Sequence, residues 1–169
     1  MKYSQIQIND EATLKKAREL TMLNAEEGCA CPLCQRLVKI YKRPLHAEMA
    51  RFLIELVKRY QQHPGWYATK DLVSGTKSNS DGVYLVHWGL IEKSDDTNRG
   101  KAPCGLYRPT IAGIDFVYMR CRVSSHVHLL RYEYVGESDK KIYITEALGK
   151  KFNYKTLMSG GVPDGAHEG

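Results

Sequence analysis

No run of apolar residues in this chain reaches the roughly 18 that a membrane-spanning helix needs. The opening Met1-Lys2-Tyr3-Ser4-Gln5-Ile6-Gln7-Ile8 also lacks an apolar stretch of signal-peptide length. These two absences predict a soluble, cytoplasmic protein. Nucleophile elbow, phosphate loop, His-Glu-x-x-His helix and glycine-rich dinucleotide turn are missing too, so the sequence points away from an enzyme. A secreted disulfide framework is excluded on similar grounds. The five cysteines are odd in number and unevenly spaced, which suits thiols or metal ligands in a reducing compartment.

What is present sets the fold. At 169 residues and 43% hydrophobic content, the chain can bury one good core and a small accessory unit. Leu45, Met49, Phe52, Leu53, Leu56, Val57 and Tyr60 recur at steps of three and four, which predicts a long amphipathic helix. His63-Pro64-Gly65-Trp66 breaks that period, and Tyr67 to Val73 leaves room for a second helix of about two turns. Turn and capping residues from Ser74 to Asp81 lead into a third helix ending at Gly89. Its apolar stripe is Val83, Val86 and Leu90, with Leu85 and Trp88 beside it. Leu90 to Lys93 then pairs with Gly105 to Arg108 across a long polar loop.

The run Trp88-Gly89-Leu90-Ile91, a charged loop, and Gly105-Leu106-Tyr107-Arg108-Pro109-Thr110-Ile111-Ala112-Gly113 resembles the winged helix-turn-helix superfamily over residues 45 to 120. In that superfamily a strand ending in a Tyr-Arg-Leu-Thr type sequence enters a closing helix with a glycine after its first turn. Pro109 replaces the usual aliphatic residue here, while Thr110 can still cap the helix. The resemblance implies an α+β fold with a winged helix-turn-helix core, an N-terminal helical and cysteine extension, and a C-terminal β-hairpin plus short helix. The expected segments are 1–44 for the extension and basic arm, 45–120 for the core, 121–158 for the hairpin and helix, and 159–169 for a disordered tail. Winged helices serve in DNA binding and as protein-interaction modules.

The flanks read more simply. Asp10 can cap a helix through Leu20, with Leu14, Ala17 and Leu20 on one face as scaffold or dimer contact. Val38, Ile40 and Lys42 alternate as a short strand or arm. His126 to Val135 alternates as well and is expected to pair with Lys141 to Thr145 across Gly136 to Lys140, after which Thr145 caps a helix to Phe152.

The formal charge of +6 is unevenly placed. From Cys31 to Tyr60 the cations Arg36, Lys39, Lys42, Arg43, Arg51, Lys58 and Arg59 face only Glu48 and Glu55. From Trp66 to Asn98 the balance reverses, with Lys70, Lys77 and Lys93 against Asp71, Asp81, Glu92, Asp95 and Asp96. Phosphate neutralisation supplies most DNA affinity, yet the region expected to enter the groove is acidic.

Cys31-Pro32-Leu33-Cys34 is the second chemical signal. Proline fixes the turn, and backbone N–H groups can stabilise two thiolates aimed at one point, which is how half a tetrahedral zinc site is built. A second Cys-x-x-Cys is lacking, so further ligands must come from Cys29, Cys104, Cys121, His126 or His128. The candidate set is Cys29, Cys31, Cys34 and Cys121; the alternative is a group of reduced thiols.

The order of cysteine knuckle, basic arm, winged helix, aromatic strand and Ile144-Thr145-Glu146-Ala147-Leu148-Gly149 tail resembles small proteins encoded by tailed bacteriophages and prophages. The resemblance implies DNA-linked regulation or interference with host machinery. The expected function is a dimeric, DNA-binding, phage-type transcriptional regulator. Lys77, Asn79, Tyr84 and His87 would contact bases, Arg99 and Lys101 would reach the DNA from the wing, and Lys42 and Arg43 would clamp phosphates. The alternative is a protein-binding module that inhibits or retargets a host protein, such as a defence or transcription factor.

Overall fold

The computed structural model describes residues 4–5, 14–72, 81–94 and 105–160. In chain order the elements are β1 (Ser4–Gln5), α1 (Leu14–Asn24), β2 (Cys29–Ala30), β3 (Leu37–Val38), β4 (Ile40–Pro44), α2 (Ala47–Gln62), β5 (Tyr67–Ala68) and α3 (Thr69–Leu72). A 3-10 helix (Asp81–Trp88) follows, then β6 (Ile91–Lys93), β7 (Leu106–Pro109), α4 (Ile111–Val117), β8 (Val123–Ser124), β9 (His126–Leu130), β10 (Glu133–Glu137), β11 (Lys141–Ile142), α5 (Ile144–Leu148) and α6 (Tyr154–Ser159). Helix and sheet are mixed along the chain, an α+β arrangement. No helix among the described residues is long and apolar enough to cross a membrane. The chain divides into two compact units, Met1–Arg43 with His126–Glu137, and Pro44–Ser125 with Ser138–Gly169.

The second unit is built around α2. Met49, Ala50, Phe52, Leu53, Ile54, Leu56 and Val57 are all buried on it, a face wide enough to serve the 3-10 helix, α4, α5 and β7 together. Burying each large side chain contributes about 1.5–3 kcal/mol, which makes this helix the main source of the unit's stability. Leu45, read from sequence as its start, is buried just before the helix and donates its N–H to the Ser125 carbonyl at 2.9 Å. The helix stops at His63 because Pro64 forces the preceding residue into extended backbone.

The second helix is shorter than the sequence suggests. Tyr67 and Ala68 pair with Tyr107 and Leu106 as a strand, so the ladder claims residues that local propensity would have left to a helix. One turn, Thr69–Leu72, remains. The third helix is also corrected: it is a 3-10 helix whose core face is the row Gly82, Leu85 and Trp88, with Val83 partly buried against the core and Leu90 fully buried as expected, while Val86 is turned out of it. A period of three places Gly82, Leu85 and Trp88 in one row. Val86 is 39% exposed, whereas Leu85 is fully buried. Gly82 is needed there, since a Cβ would lie 2.5 Å from the Phe52 ring.

The β6–β7 hairpin follows the expected pairing, with Glu92 opposite Arg108 and Lys93 opposite Tyr107. β7 lies between β5 and β6 in a three-stranded sheet. Thr110 caps α4 as read from sequence: its hydroxyl accepts the Gly113 N–H at 3.1 Å and donates to the Gly89 carbonyl at 2.6 Å. β8 pairs with β11, and the Trp88 indole donates to the Ser124 carbonyl at 2.6 Å.

Lys141 and Ile142 therefore do not pair with the His126 strand as expected; that strand, β9, takes β10 instead. The chain reverses at Arg131 and Tyr132, both with positive φ, a two-residue turn whose twist matches the flanking strands. Thr145 lies inside α5 rather than capping it. The cap forms two residues earlier, where Glu146 accepts the Tyr143 N–H at 2.8 Å. α6 was not expected; Asn153 caps it, and the Tyr154 hydroxyl donates to the Val117 carbonyl at 2.7 Å. Ser159 and Gly160 close α6 rather than opening a tail, and residues 161–169 lie outside the described residues.

In the first unit, β1, β2 and β3 form one sheet and β10, β9 and β4 another. Its small core gathers Ala25, Cys29 and Val38, with Cys31, Ile40 and Leu130 against it. α1 begins at Leu14 and buries Ala17; Asp10, its expected cap, lies outside the described residues.

Candidate functional site

The cysteine turn is the tip of the β2–β3 hairpin, where Cys29 faces Val38 and Ala30 faces Leu37. Two backbone hydrogen bonds close it: the Cys31 N–H donates to the Arg36 carbonyl and the Gln35 N–H to the Cys31 carbonyl, each at 2.8 Å. Gln35 takes a φ of 59°, a left-handed conformation that costs a non-glycine residue about 1 kcal/mol. The closed loop aims the N–H groups of Cys34 and Leu33 at the Cys31 sulfur. Those bonds hold the Cys31 thiol below its ordinary value; burial opposes them, and the Cys34 side chain and Arg131 guanidinium add to them.

Arg131 comes from the β9–β10 turn, far along the chain, and no local sequence signal marked it. With Leu14, Ala17, Met22, Cys31 and Leu33 it lines a cleft of about 250 Å³. Its own backbone is strained at φ 50°, as is Tyr132 at 70°. Strain of this kind collects where a geometry is used.

Of the four-cysteine set, Cys29, Cys31 and Cys34 belong to the first unit and Cys121 to the second. Cys29 is buried, its thiol donating to the Thr21 carbonyl at 3.6 Å, and burial followed by the Cys31 charge raises its pKa. Cys121, in the second unit, directs its thiol to the Ala112 carbonyl at 3.8 Å, and burial and Asp115 raise it. Both thiols are pushed up, whereas the Cys31 thiol is pulled down. Among the described residues no three His, Cys, Asp or Glu side chains stand close enough to hold a metal ion. Cys104 lies outside the described residues.

Site-specific alkylation will separate these thiols. Cys31 should react with iodoacetamide with a midpoint below the ordinary value of 9.0, because the thiolate is the nucleophile and its pKa is lowered. Arg131→Gly should raise that midpoint while relieving the turn by about 1 kcal/mol. A Cys31 midpoint at or above 9.0 would contradict the assignment.

The candidate DNA contacts are distributed across both units. Lys42, exposed, and Arg43, half-buried, sit on β4 in the first unit. Tyr84 and His87 belong to the 3-10 helix in the second, their rings 6.0 Å apart. Lys77, Asn79, Arg99 and Lys101 lie outside the described residues. Asp81, at the start of the 3-10 helix, lies 3.4 Å from His46.

Several cations of the second unit are engaged. Glu48 holds Arg51 at 3.1 Å and Lys151 at 2.6 Å, Glu55 holds Arg59 at 2.9 Å, and Asp115 holds Arg120 at 3.3 Å. Arg108 pairs with Glu92 and stacks 4.4 Å above the Trp66 ring, beside an open groove of about 560 Å³ under Ile111 and Ile114. Surface pairs of this type contribute at most about 1 kcal/mol each, but they reduce the field offered to a phosphate. Lys70 and Lys93 are exposed on the same unit. Comparison with known proteins finds no matching family model, no matching curated protein and no matching solved structure.

Proposed function

We propose that residues 45–120 form a winged helix-turn-helix unit that binds duplex DNA, in the manner of a transcriptional regulator. One observation carries the reading: the 3-10 helix turns Gly82, Leu85 and Trp88 inward and leaves Val86 exposed, with Tyr84 and His87 half-buried beside it, next to a hairpin anchored on the same core. The order of α2, α3, 3-10 helix, hairpin and closing α4 supports it, as does the Thr110 cap. In this reading Tyr84 and His87 meet base edges, and Lys93 with Arg99 and Lys101 meets phosphates.

Fluorescence anisotropy on a random-sequence duplex tests it. Lys93→Ala, and Arg99→Ala with Lys101→Ala, should each weaken binding on every sequence, while Tyr84→Ala should act mainly on a selected sequence. Unchanged affinity in all three variants would remove the reading.

A second reading is favoured by Val86 and the Asp81–His46 pair. An exposed apolar side chain and an acidic residue on the same 3-10 helix suit a protein surface better than a phosphate, and the unit would then dock on a partner protein.

A further inference from the structure

The cleft beside the cysteine turn brings a thiol and two cations together within the first unit. Cys31 lines it, and the buried Ala17 and Val38 give it an apolar floor. Arg18 of α1 and Arg131 of the β9–β10 turn line it as well, and among the described residues no acidic side chain does. A hollow of about 250 Å³ with this lining suits a small anionic molecule that a thiol can attack.

The backbone places a second thiol next to the first. The Gln35 N–H donates to the Cys31 carbonyl at 2.8 Å, which is the bond of a single helical turn. Side chains three apart on such a turn share a face, with Cβ atoms about 5–6 Å apart. A disulfide needs about 3.8 Å, so the turn has to tighten by roughly 2 Å. Its tip can do so at little cost in packing, because Leu33, at 65%, and Cys34 are exposed. Cys29 stands outside this pair, buried and with its thiol on the Thr21 carbonyl.

We propose that Cys31 and Cys34 form a thiol–disulfide exchange site for a small disulfide that carries carboxylates, the class to which glutathione disulfide belongs. Cys31, having given its proton to water, attacks one sulfur of that disulfide and breaks its S–S bond; one half leaves as a thiolate and is protonated, and the other is joined to Cys31. Cys34 then gives its proton to water and attacks the Cys31 sulfur, which forms the Cys31–Cys34 bond and releases the second half. The chain loses two electrons, and the small disulfide is reduced to two thiols. Arg18 and Arg131 hold the carboxylates. Cys31 is the attacking member because it lines the cleft and Cys34 does not.

The test uses the full chain, reduced and then freed of reductant, with peptide mapping after acid quench. Excess glutathione disulfide should join Cys31 to Cys34 and leave no glutathionyl group on either. Cys34→Ser, at an exposed position, should stop with one glutathionyl group on Cys31. Arg18→Gln with Arg131→Gln should slow oxidation of the pair by glutathione disulfide about tenfold, while oxidation by cystamine, a cationic disulfide, should not slow. Equal slowing with both disulfides would assign the arginines to the fold and overturn the proposal. A pair that stays reduced in excess glutathione disulfide, or a glutathionyl group that persists on Cys31 while Cys34 is present, would overturn it as well.

Discussion

Phe116→Ala is expected to lower the unfolding free energy of the second unit by about 4 kcal/mol, in the middle of the range for a buried aromatic. Phe116 is fully buried and belongs to the cluster that α2 organises, where Leu53, Leu56, Leu90 and Ile144 are also fully enclosed. The surrounding elements are held on several sides, so the site has little freedom to collapse around the missing ring. Both tryptophans of the chain, Trp66 and Trp88, belong to this unit, and urea melts followed by their fluorescence report on it alone. A loss below about 1 kcal/mol would mean that α4 is not seated in the core as described.

Gly113→Ala should be comparably damaging, roughly 3 kcal/mol, and here helix propensity predicts the opposite sign. An alanine inside an exposed helix would add up to about 1 kcal/mol of stability. At Gly113 the added Cβ would lie 2.0 Å from the Leu90 carbonyl oxygen, which is backbone and cannot rotate away. That carbonyl also accepts the Thr110 N–H at 3.1 Å, so moving it disturbs the joint between the 3-10 helix, the hairpin and α4. The same fluorescence melts decide between the two effects; a stabilised variant would contradict the close approach.

The elements legible in the sequence are those whose signal is local and repeated. α2 shows its period over four turns, the hairpin shows two short apolar strands around a polar loop, and Thr110 shows a cap. The misread elements depend on partners distant in sequence. The inward face of the 3-10 helix is set by the Phe52 ring against Gly82, so Val86 reads as core although it is exposed. The β9–β10 turn uses Arg131 and Tyr132 at positions that usually take Asn-Gly, leaving no turn signal and shifting the expected partner strand. Tyr67 and Ala68 form a strand only because β7 is there to pair with.

The candidate site divides in the same way. The Cys31–Cys34 turn was evident from two cysteines and a proline, whereas Arg131 and the cleft beside it required the fold. Cys29 and Cys121 entered the expected zinc set by residue type alone. Cys29 is buried, and each of the two thiols is turned to a backbone carbonyl, that of Thr21 or of Ala112.

The central claim is that the second unit holds duplex DNA through phosphates, with the 3-10 helix at the bases. Its most direct test is the dissociation constant for one duplex measured across a salt series. If about four phosphates are neutralised, affinity should fall roughly a hundredfold between 50 and 200 mM salt, with a log–log slope near −3.6. That slope should become about two units shallower in the Arg99→Ala, Lys101→Ala variant. No measurable duplex binding, or an affinity indifferent to salt, would contradict the account.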